Sequence, residues 1–223
     1  MSNYVDVKEG YDYWAPTYPW DWVESFEKER VLRLIGEVKG KKILDLGCGT
    51  GRNITKLASE GTYVTGVDIS PRMIEEAQKK LSQAHLQADL SVGTVERLLF
   101  EDESFDVVIT SSVLDHVPYL DPCFQEISRV LKAEGCYIYS GLHPDADIAI
   151  HSAGFWKGNQ RHMIQEFHHG FEEIHHACKK HGLKPDRILE IPLDEKQKHI
   201  YSEKTYQQEK GKNIYTIIKC EKV

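Results

Sequence analysis

The sequence predicts an α/β fold in which helices cover both faces of a mostly parallel sheet. Short apolar runs alternate with segments of helical spacing from residue 24 to residue 141, which is the pattern of repeated strand–helix–strand units. Three glycines, Gly47, Gly49 and Gly51, follow the first apolar run. The chain has 223 residues, of which 40% are hydrophobic, and this is enough to bury the core of one domain.

Seven segments are predicted to be strands, because each is a short apolar run bounded by turn residues. They are residues 41–46, 62–68, 84–89, 104–110, 135–141, 186–191 and 213–220. The last two are joined by a polar stretch without helical spacing, so we expect them to be antiparallel neighbours.

Five segments place apolar residues on one face at helical spacing. They are residues 24–38, 51–60, 71 to about 82, 121–132 and 171–182. Ser70 before Pro71 is a strong helix start, and Gly182 is a helix stop. Residues 142–169 show no clear period.

Composition and charge exclude several function classes. The net charge of −7 and the pI near 5.9 disfavour a nucleic-acid partner, because an acidic surface repels phosphates. No apolar run is long enough to span a bilayer, so we expect no membrane partner. The five cysteines are scattered and form no CxxC pair, so we expect neither a zinc site nor a disulfide framework, and a reduced cytoplasmic location.

The stretch ILDLGCGTGRN, residues 43–53, is the strongest functional signal. A glycine-rich turn after a buried strand brings the backbone close to a ligand at the carboxyl edge of the sheet. The dinucleotide fingerprint GxGxxG has glycine where this chain has Arg52, and a P-loop would continue into Gly-Lys-Ser/Thr. Both of those sites are therefore disfavoured.

Three carboxylates are predicted to end three successive strands. Asp45, Asp68 and Asp89 would meet a ligand that carries an amine, a diol and an amino-purine, because an acid after the second strand of such folds takes ribose hydroxyls.

The chain resembles the class I S-adenosylmethionine-dependent methyltransferases of the small single-domain kind. The matching stretches are ILDLGCGTGRN, VTGVDIS, LQADL, SFDVVITSSVLDHV and CYIYSG. The resemblance implies a Rossmann-like three-layer sandwich with a seven-stranded, mostly parallel sheet and an antiparallel last strand. It also implies S-adenosylmethionine as cofactor and S-adenosylhomocysteine as product.

The resemblance implies a cofactor-binding set. Asp45 and the three glycines would surround the methionine part, Asp68 the ribose, and Asp89 with Leu90 the adenine edge. The full expected set is Tyr11, Trp14, Tyr18, Asp45, Gly47, Cys48, Gly49, Gly51, Asn53, Asp68, Ile69, Met73, Ala88, Asp89, Leu90, Ser111, Ser112 and His116. The aromatic residues among them belong to the N-terminal segment that often lies over the cofactor in this family.

Candidates for a general base are histidines near the same edge. His143 follows the fifth strand, and His168 and His169 precede the helix 171–182; imidazole is the side chain best suited to move a proton near neutral pH. His116 is expected to be structural. No metal is expected, because HExxH is absent and Glu172 with His176 reads as a solvated helix face.

The expected organisation is a single domain, 1–223. Residues 1–40 would form an N-terminal lid and helix, 41–141 the cofactor-binding half and 142–223 the substrate-side half. The predicted activity is transfer of a methyl group by in-line displacement to a small-molecule acceptor, by a monomer or homodimer. Two alternatives stay open, a catalytically silent S-adenosylmethionine-binding protein and a nicotinamide-dependent oxidoreductase.

Overall fold

Residues 3–27, 30–147 and 153–223 are described by the computed structural model, and within them the chain forms ten strands and eight α-helices. The strands are β1 (Asn3–Val5), β2 (Lys42–Leu46), β3 (Tyr63–Asp68), β4 (Asp89–Val92), β5 (Phe105–Ser111), β6 (Leu131–Leu142), β7 (Gly154–Lys157), β8 (Gln160–Ile164), β9 (Leu183–Pro192) and β10 (Asn213–Lys222). The helices are α1 (Val7–Trp14), α2 (Asp21–Glu27), α3 (Arg30–Ile35), α4 (Arg52–Ser59), α5 (Pro71–Gln83), α6 (Leu120–Val130), α7 (Phe171–Lys180) and α8 (Glu203–Glu209).

Seven strands form one sheet in the order β4-β3-β2-β5-β6-β10-β9. Strands β2 to β6 pair in parallel, and β10 is antiparallel to both β6 and β9. Helices cover both faces. The predicted three-layer α/β sandwich with an antiparallel last strand is confirmed.

The core lies on both faces of the sheet, because the central strands β2 and β5 bury side chains on both of their faces. Along β2, Ile43 packs with α3 and α4 on one face, whereas Leu44 packs with α6 and α7 on the other. Both side chains are fully buried. Strands buried on two faces read as continuous apolar runs, which is why β2 and β5 were recognisable in the sequence.

The strand register brings four loops to one edge of the sheet. Leu46, the last residue of β2, lies opposite Val67 of β3 and Thr110 of β5, and Asp68 lies opposite Val92 of β4. The strand order reverses at β2, since β3 lies on one side of it and β5 on the other. A cleft forms at such a switch point, beyond the carboxyl ends of the strands.

The predicted bounds of the third strand were wrong. Residues 84–89 were expected to form it, but β4 runs from Asp89 to Val92. Leu86, Ala88, Leu90 and Val92 alternate with polar residues, so the period-2 pattern continues past the predicted end. Helix α5 ends only at Gln83, and the turn after it occupies part of the predicted strand.

A second, three-stranded sheet was not predicted. β1 pairs in parallel with β8, and β8 pairs antiparallel with β7. This sheet connects the N-terminus to the segment 154–164, which lacks any clear period in the sequence. Helix α8 also lies in a stretch for which no helix was predicted.

The predicted helix 24–38 corresponds to α2 and α3, and its residues 28 and 29 lie outside the described residues, as do residues 1 and 2 of the predicted lid and residues 148–152. Among the described residues, no helix combines the length and apolarity needed to span a membrane.

Candidate active site

A cavity of about 310 Å³ opens at the switch point and is called the first cavity here. The loops after β2, β3, β4 and β5 form its floor, and the N-terminal segment, residues 3–20, closes it from above. Of the residues expected at a cofactor site, it is lined by Tyr11, Tyr18, Gly47, Gly49, Asp68, Ile69, Met73, Ser111, Ser112 and His116.

The glycine loop after β2 requires its glycines for different reasons. Gly47 has φ +68°, and a Cβ there would lie 2.3 Å from Val113 Cγ2. Gly49 has φ +53°, and a Cβ there would meet no atom within 4 Å. That Cβ would instead occupy open space beside the first cavity. The absence of a side chain at Gly49 therefore leaves space for a ligand to approach the backbone of the loop.

Asp68 ends β3 with its carboxylate at the first cavity. Its two oxygens accept hydrogen bonds from the backbone N–H groups of Gly49, at 2.8 Å, and Ser70, at 2.9 Å. Burial raises the pKa of Asp68 to about 6, despite the hydrogen bonds from Ser70 and Gly49 that favour the charged form. Each carboxylate oxygen retains capacity to accept a further hydrogen bond from a ligand.

Asp45 lies one layer deeper, in a recess of about 50 Å³ that adjoins the first cavity. Cys48 and Asn53 also line this recess. Asp45 is 1% exposed, and its Oδ1 has no hydrogen-bond partner among the described residues. Burial raises the pKa of Asp45 to about 7. A buried polar atom without a partner is costly, so this oxygen is suited to receive a donor from a bound ligand.

A buried ionic cluster supports the wall of the recess. Arg52 at the start of α4 donates to Glu27 at the end of α2 and, at 2.9 Å, to Ser111 Oγ. Glu27 also accepts from the hydroxyls of Ser111, Ser140 and Tyr215. Burial opposes ionisation of Glu27, but the guanidinium of Arg52 and the hydroxyl donors outweigh it, so the pKa of Glu27 is lowered. Arg52, which excludes the dinucleotide fingerprint, thus joins the N-terminal part of the chain to the glycine loop.

Three polar contacts hold the N-terminal segment over the sheet edge. Asp12 Oδ1 accepts from Ser70 Oγ at 2.6 Å, and Trp20 Nε1 donates to Thr50 Oγ1 at 2.6 Å. The third contact joins Tyr11 to His116, whose atoms lie 2.7 Å apart. Together they cover the first cavity with protein.

The Tyr11–His116 contact has a defined direction. Nδ1 of His116 lies 2.9 Å from the carbonyl oxygen of Gln165, which can only accept, so Nδ1 carries a proton. Burial lowers the pKa of His116, which favours the neutral ring. Nε2 therefore presents a lone pair, and the Tyr11 hydroxyl donates to it.

A second cavity of about 270 Å³ lies next to the first. The two share the side chains of Tyr11, Tyr18, Ser112 and His116. The second cavity is also lined by Trp14, Asp115, Glu166 and Tyr201. A ligand in either cavity would therefore meet these shared side chains.

Comparison with known proteins shows a similarity to methyltransferases. Residues 44–139 match the model of the methyltransferase domain. A curated relative, the ubiquinone biosynthesis O-methyltransferase of Coxiella burnetii, is 30% identical over 134 residues, which are 55% of this chain and 57% of the relative. This chain is therefore similar to methyltransferases over residues 44–139.

Solved structures show the same methyltransferase fold. The S-adenosylmethionine-dependent methyltransferase of Mesorhizobium loti superposes with a TM-score of 0.69 at 19% identity, covering 87% of this chain and 97% of that one. The geranyl diphosphate C-methyltransferase of Streptomyces coelicolor, solved with S-adenosylhomocysteine, gives 0.71 at 16% identity, covering 87% and 77%. The chain spans about half the length of the curated relatives it matches.

Some residues expected at the methyltransferase cofactor site lie elsewhere. Asp89 is exposed and lies opposite Thr65, three residues before Asp68, so neither it nor Ala88 and Leu90 lines the first cavity. They lie outside the first cavity because β4 begins later in the chain than predicted, and their role at the cofactor stays a prediction. Trp14 lines the second cavity, not the first. Gly51 precedes α4 as its N-cap with φ +82°, and a Cβ there would lie 3.0 Å from Ala77 Cβ, so glycine allows the loop to pack closely against α5.

The three histidines expected to act as bases line neither cavity. His143 is buried, with Nε2 3.0 Å from Glu190. His168 Nε2 lies 2.6 Å from the carbonyl oxygen of Pro144, and His169 Nε2 lies 2.8 Å from that of Val117. These partners hold all three side chains in place, and a role as general base stays a prediction for each of them.

The structure brings residues to the first cavity that the sequence did not reveal. Gly93, Thr94, Val95 and Glu96 follow β4 and line it, as do Gln165 and Phe167. The alternating pattern that continues to Val92 could have indicated the first four of these residues, because it places the end of β4 just before Gly93. Within the described residues, no three His, Cys, Asp or Glu side chains are grouped to hold a metal ion.

Proposed function

We propose that this chain binds S-adenosylmethionine in the first cavity and transfers its methyl group to a small-molecule acceptor. The observation that carries the proposal is the position of Asp68. Its carboxylate is fixed at the end of β3 by Gly49 and Ser70 and faces the first cavity, as ribose recognition in such folds requires.

The residues present fit the cofactor at both of its ends. We infer that Asp45, with its unpartnered Oδ1, accepts from the methionine ammonium in the recess, and that Gly47 and Gly49 admit the methionine backbone. Asp68 accepts from the ribose hydroxyls. Ile69, Met73 and Val95 supply the apolar wall for adenine, and Thr94 takes the polar role at the adenine edge that was expected of Asp89.

The bound cofactor supplies an activated methyl group on a sulfonium, so the protein needs no covalent residue. Orientation of an acceptor in line with that methyl group contributes up to about 7–11 kcal/mol to lowering the barrier. The N-terminal segment excludes water through its contacts at Ser70, Thr50 and His116. The aromatic rings of Tyr11 and Tyr18 line the cavity, and a cation near such a ring gains about 0.5–2 kcal/mol.

The acceptor is proposed to bind in the second cavity. This cavity shares a wall with the first and is too small for a polymer. The net charge of −7 further argues against a nucleic acid. The relative of Coxiella burnetii is named as an O-methyltransferase of ubiquinone biosynthesis, which supports a small-molecule acceptor here as well.

Isothermal titration calorimetry tests this proposal against its two alternatives. We expect micromolar binding of S-adenosylmethionine and S-adenosylhomocysteine and no binding of NADH. Binding of NADH alone would establish the oxidoreductase instead. Binding of the first two without formation of S-adenosylhomocysteine in the presence of any small-molecule acceptor would favour the silent binding protein.

We further propose that residues 1–223 act as one domain, with the divisions 1–40, 41–141 and 142–223 as lid, cofactor half and substrate half. All five cysteines are free, which supports a reducing compartment such as the cytoplasm. Light scattering of the purified chain tests the expected monomer or homodimer.

A further inference from the structure

We propose that the second cavity selects an amine as the methyl acceptor. The inference rests on the proposed function and deepens it, because it assigns the chemical class of the acceptor. It is carried by two carboxylates and a group of aromatic rings that face one small space beside the first cavity.

The first step concerns the position of this space. The second cavity meets the first at Tyr11, Tyr18, Ser112 and His116. Its volume of about 270 Å³ is just below the usual range of pockets for drug-sized ligands, about 300–1,000 Å³. A compact acceptor would therefore place its reacting atom near the shared wall.

The second step concerns charge. The carboxylates of Asp115 and Glu166 both line the second cavity. Burial, and next the nearby charge of Glu166, raise the pKa of Asp115 to about 6. No lysine or arginine lines the cavity among the described residues. A cationic nitrogen would relieve this repulsion, whereas a carboxylate or phosphate acceptor would add to it.

The third step concerns how these carboxylates are held. Glu166 Oε1 accepts from the backbone N–H of Ala153 at 2.9 Å, and Asp115 accepts from the backbone N–H of Leu142. Both side chains are thus oriented by the main chain. A preorganised pair of acceptors recognises a cation without first having to be ordered.

The fourth step concerns the aromatic rings. Trp14 stacks on Tyr11 with ring centroids 6.2 Å apart and meets the edge of Tyr18 at 4.9 Å. All three rings line the second cavity. Aromatic faces beside carboxylates form the usual recognition site for an ammonium group.

The transfer balances as a simple displacement. An ammonium acceptor first gives a proton to the Asp115 carboxylate, which leaves a lone pair on nitrogen. This nitrogen attacks the methyl carbon, a nitrogen–carbon bond forms, and the carbon–sulfur bond breaks. The electron pair of that bond passes to sulfur, which leaves as the neutral thioether, and the product leaves as a methylated ammonium. The proton on Asp115 passes to water.

The test uses three probes with the same ring: phenethylamine, 2-phenylethanol and phenylacetate. Each is titrated by calorimetry into protein saturated with S-adenosylhomocysteine. We expect the amine to bind at least ten-fold more tightly than the alcohol, and the carboxylate not to bind. Equal or tighter binding of the alcohol or carboxylate, or no binding of the amine, would overturn the inference. Failure of S-adenosylhomocysteine itself to bind would instead reject the proposed function.

Variants make the assignment specific. Asp115→Asn and Glu166→Gln should each weaken phenethylamine binding at least ten-fold and leave the affinity for S-adenosylhomocysteine within two-fold. The second property also shows that each variant is folded. The matched control is Glu172→Gln, which changes an exposed carboxylate on α7 that lines neither cavity, and it should change neither affinity. Unchanged amine binding in both test variants would contradict the proposal.

Discussion

The hydroxyl of Tyr11 donates to Nε2 of His116 across 2.7 Å, joining helix α1 to the loop after β5. Both side chains lie on the wall between the two cavities. The contact depends on a neutral imidazole whose other nitrogen is committed to Gln165. This hydrogen bond therefore holds the N-terminal segment in place and also forms part of the wall of both cavities.

Tyr11→Phe removes this hydrogen bond and keeps the ring. A neutral hydrogen bond contributes about 0.5–1.5 kcal/mol, so we expect the dissociation constant for S-adenosylhomocysteine to rise by about two- to ten-fold in calorimetry. Tyr13→Phe on the same helix is the control, because Tyr13 lines neither cavity. An equal effect of both substitutions would show that the helix, and not the Tyr11 hydroxyl, is responsible.

Asp68→Asn and Asp89→Asn together test the strand register. The first removes a charged acceptor at the first cavity and should weaken cofactor binding by about 1.5–3 kcal/mol, the range for hydrogen bonds to charged groups. The second changes an exposed carboxylate three residues before the sheet edge and should have no effect. Weaker binding in the Asp89 variant alone would restore the role first expected of that residue.

The carboxyl group of Asp45 should make stability depend on pH. Burial raises its pKa from 3.8 to about 7, so the folded state holds a proton that the unfolded state has lost. Stability from this group is therefore lost as pH rises from about 4 to 7. Asp45→Asn should stabilise the cofactor-free protein more at pH 8 than at pH 4, by at most about 4 kcal/mol at roughly 1.4 kcal/mol per pH unit.

Urea unfolding of both proteins at the two pH values measures this difference. Asp89→Asn serves as the control and should give the same change in unfolding free energy at both pH values. If the stabilisation by Asp45→Asn does not vary with pH, burial does not raise the pKa of the Asp45 carboxyl group.

Glu27→Gln should destabilise the protein strongly. It leaves the guanidinium of Arg52 buried without its counter-charge, and breaking such a pair costs about 3–5 kcal/mol. Adding Arg52→Met should recover part of the loss, because the unpaired charge is then removed. Denaturant unfolding of the two single variants and the double variant gives a coupling energy, expected to reach about 2–3 kcal/mol. If the changes in unfolding free energy of the two single variants simply add up in the double variant, Glu27 and Arg52 do not stabilise each other.

The glycine loop and Asp68 were predictable because their signals are local. A buried strand, a glycine turn and an acid at the next strand end can be read within about 25 residues. The alternation of strands and helices predicted the parallel sheet, and the resemblance to the methyltransferases implied its Rossmann-like arrangement. Residues that the sequence predicts for the cofactor site, on the loops after β2, β3 and β5, line the first cavity, and their role in binding stays a prediction.

The errors arose where the deciding partner is distant in sequence. Nothing in the sequence around Glu27 shows that Ser140 and Tyr215 donate to it. The sequence likewise does not show the carbonyl and carboxylate partners of His143, His168 and His169, whose role as bases stays a prediction. The start of β4 was ambiguous because an alternating pattern does not specify where pairing begins.

The parallel pairing of β1 with β8 has a kinetic consequence. Val5 lies opposite Ile164, so the strand that leads into helix α1 is hydrogen-bonded to the strand that precedes Gln165 and Glu166. Displacing the N-terminal segment to admit one ligand must disturb the binding surface of the other. We expect a compulsory order, in which the methyl donor enters first and its product leaves last. Product-inhibition patterns would then be competitive only between S-adenosylmethionine and S-adenosylhomocysteine.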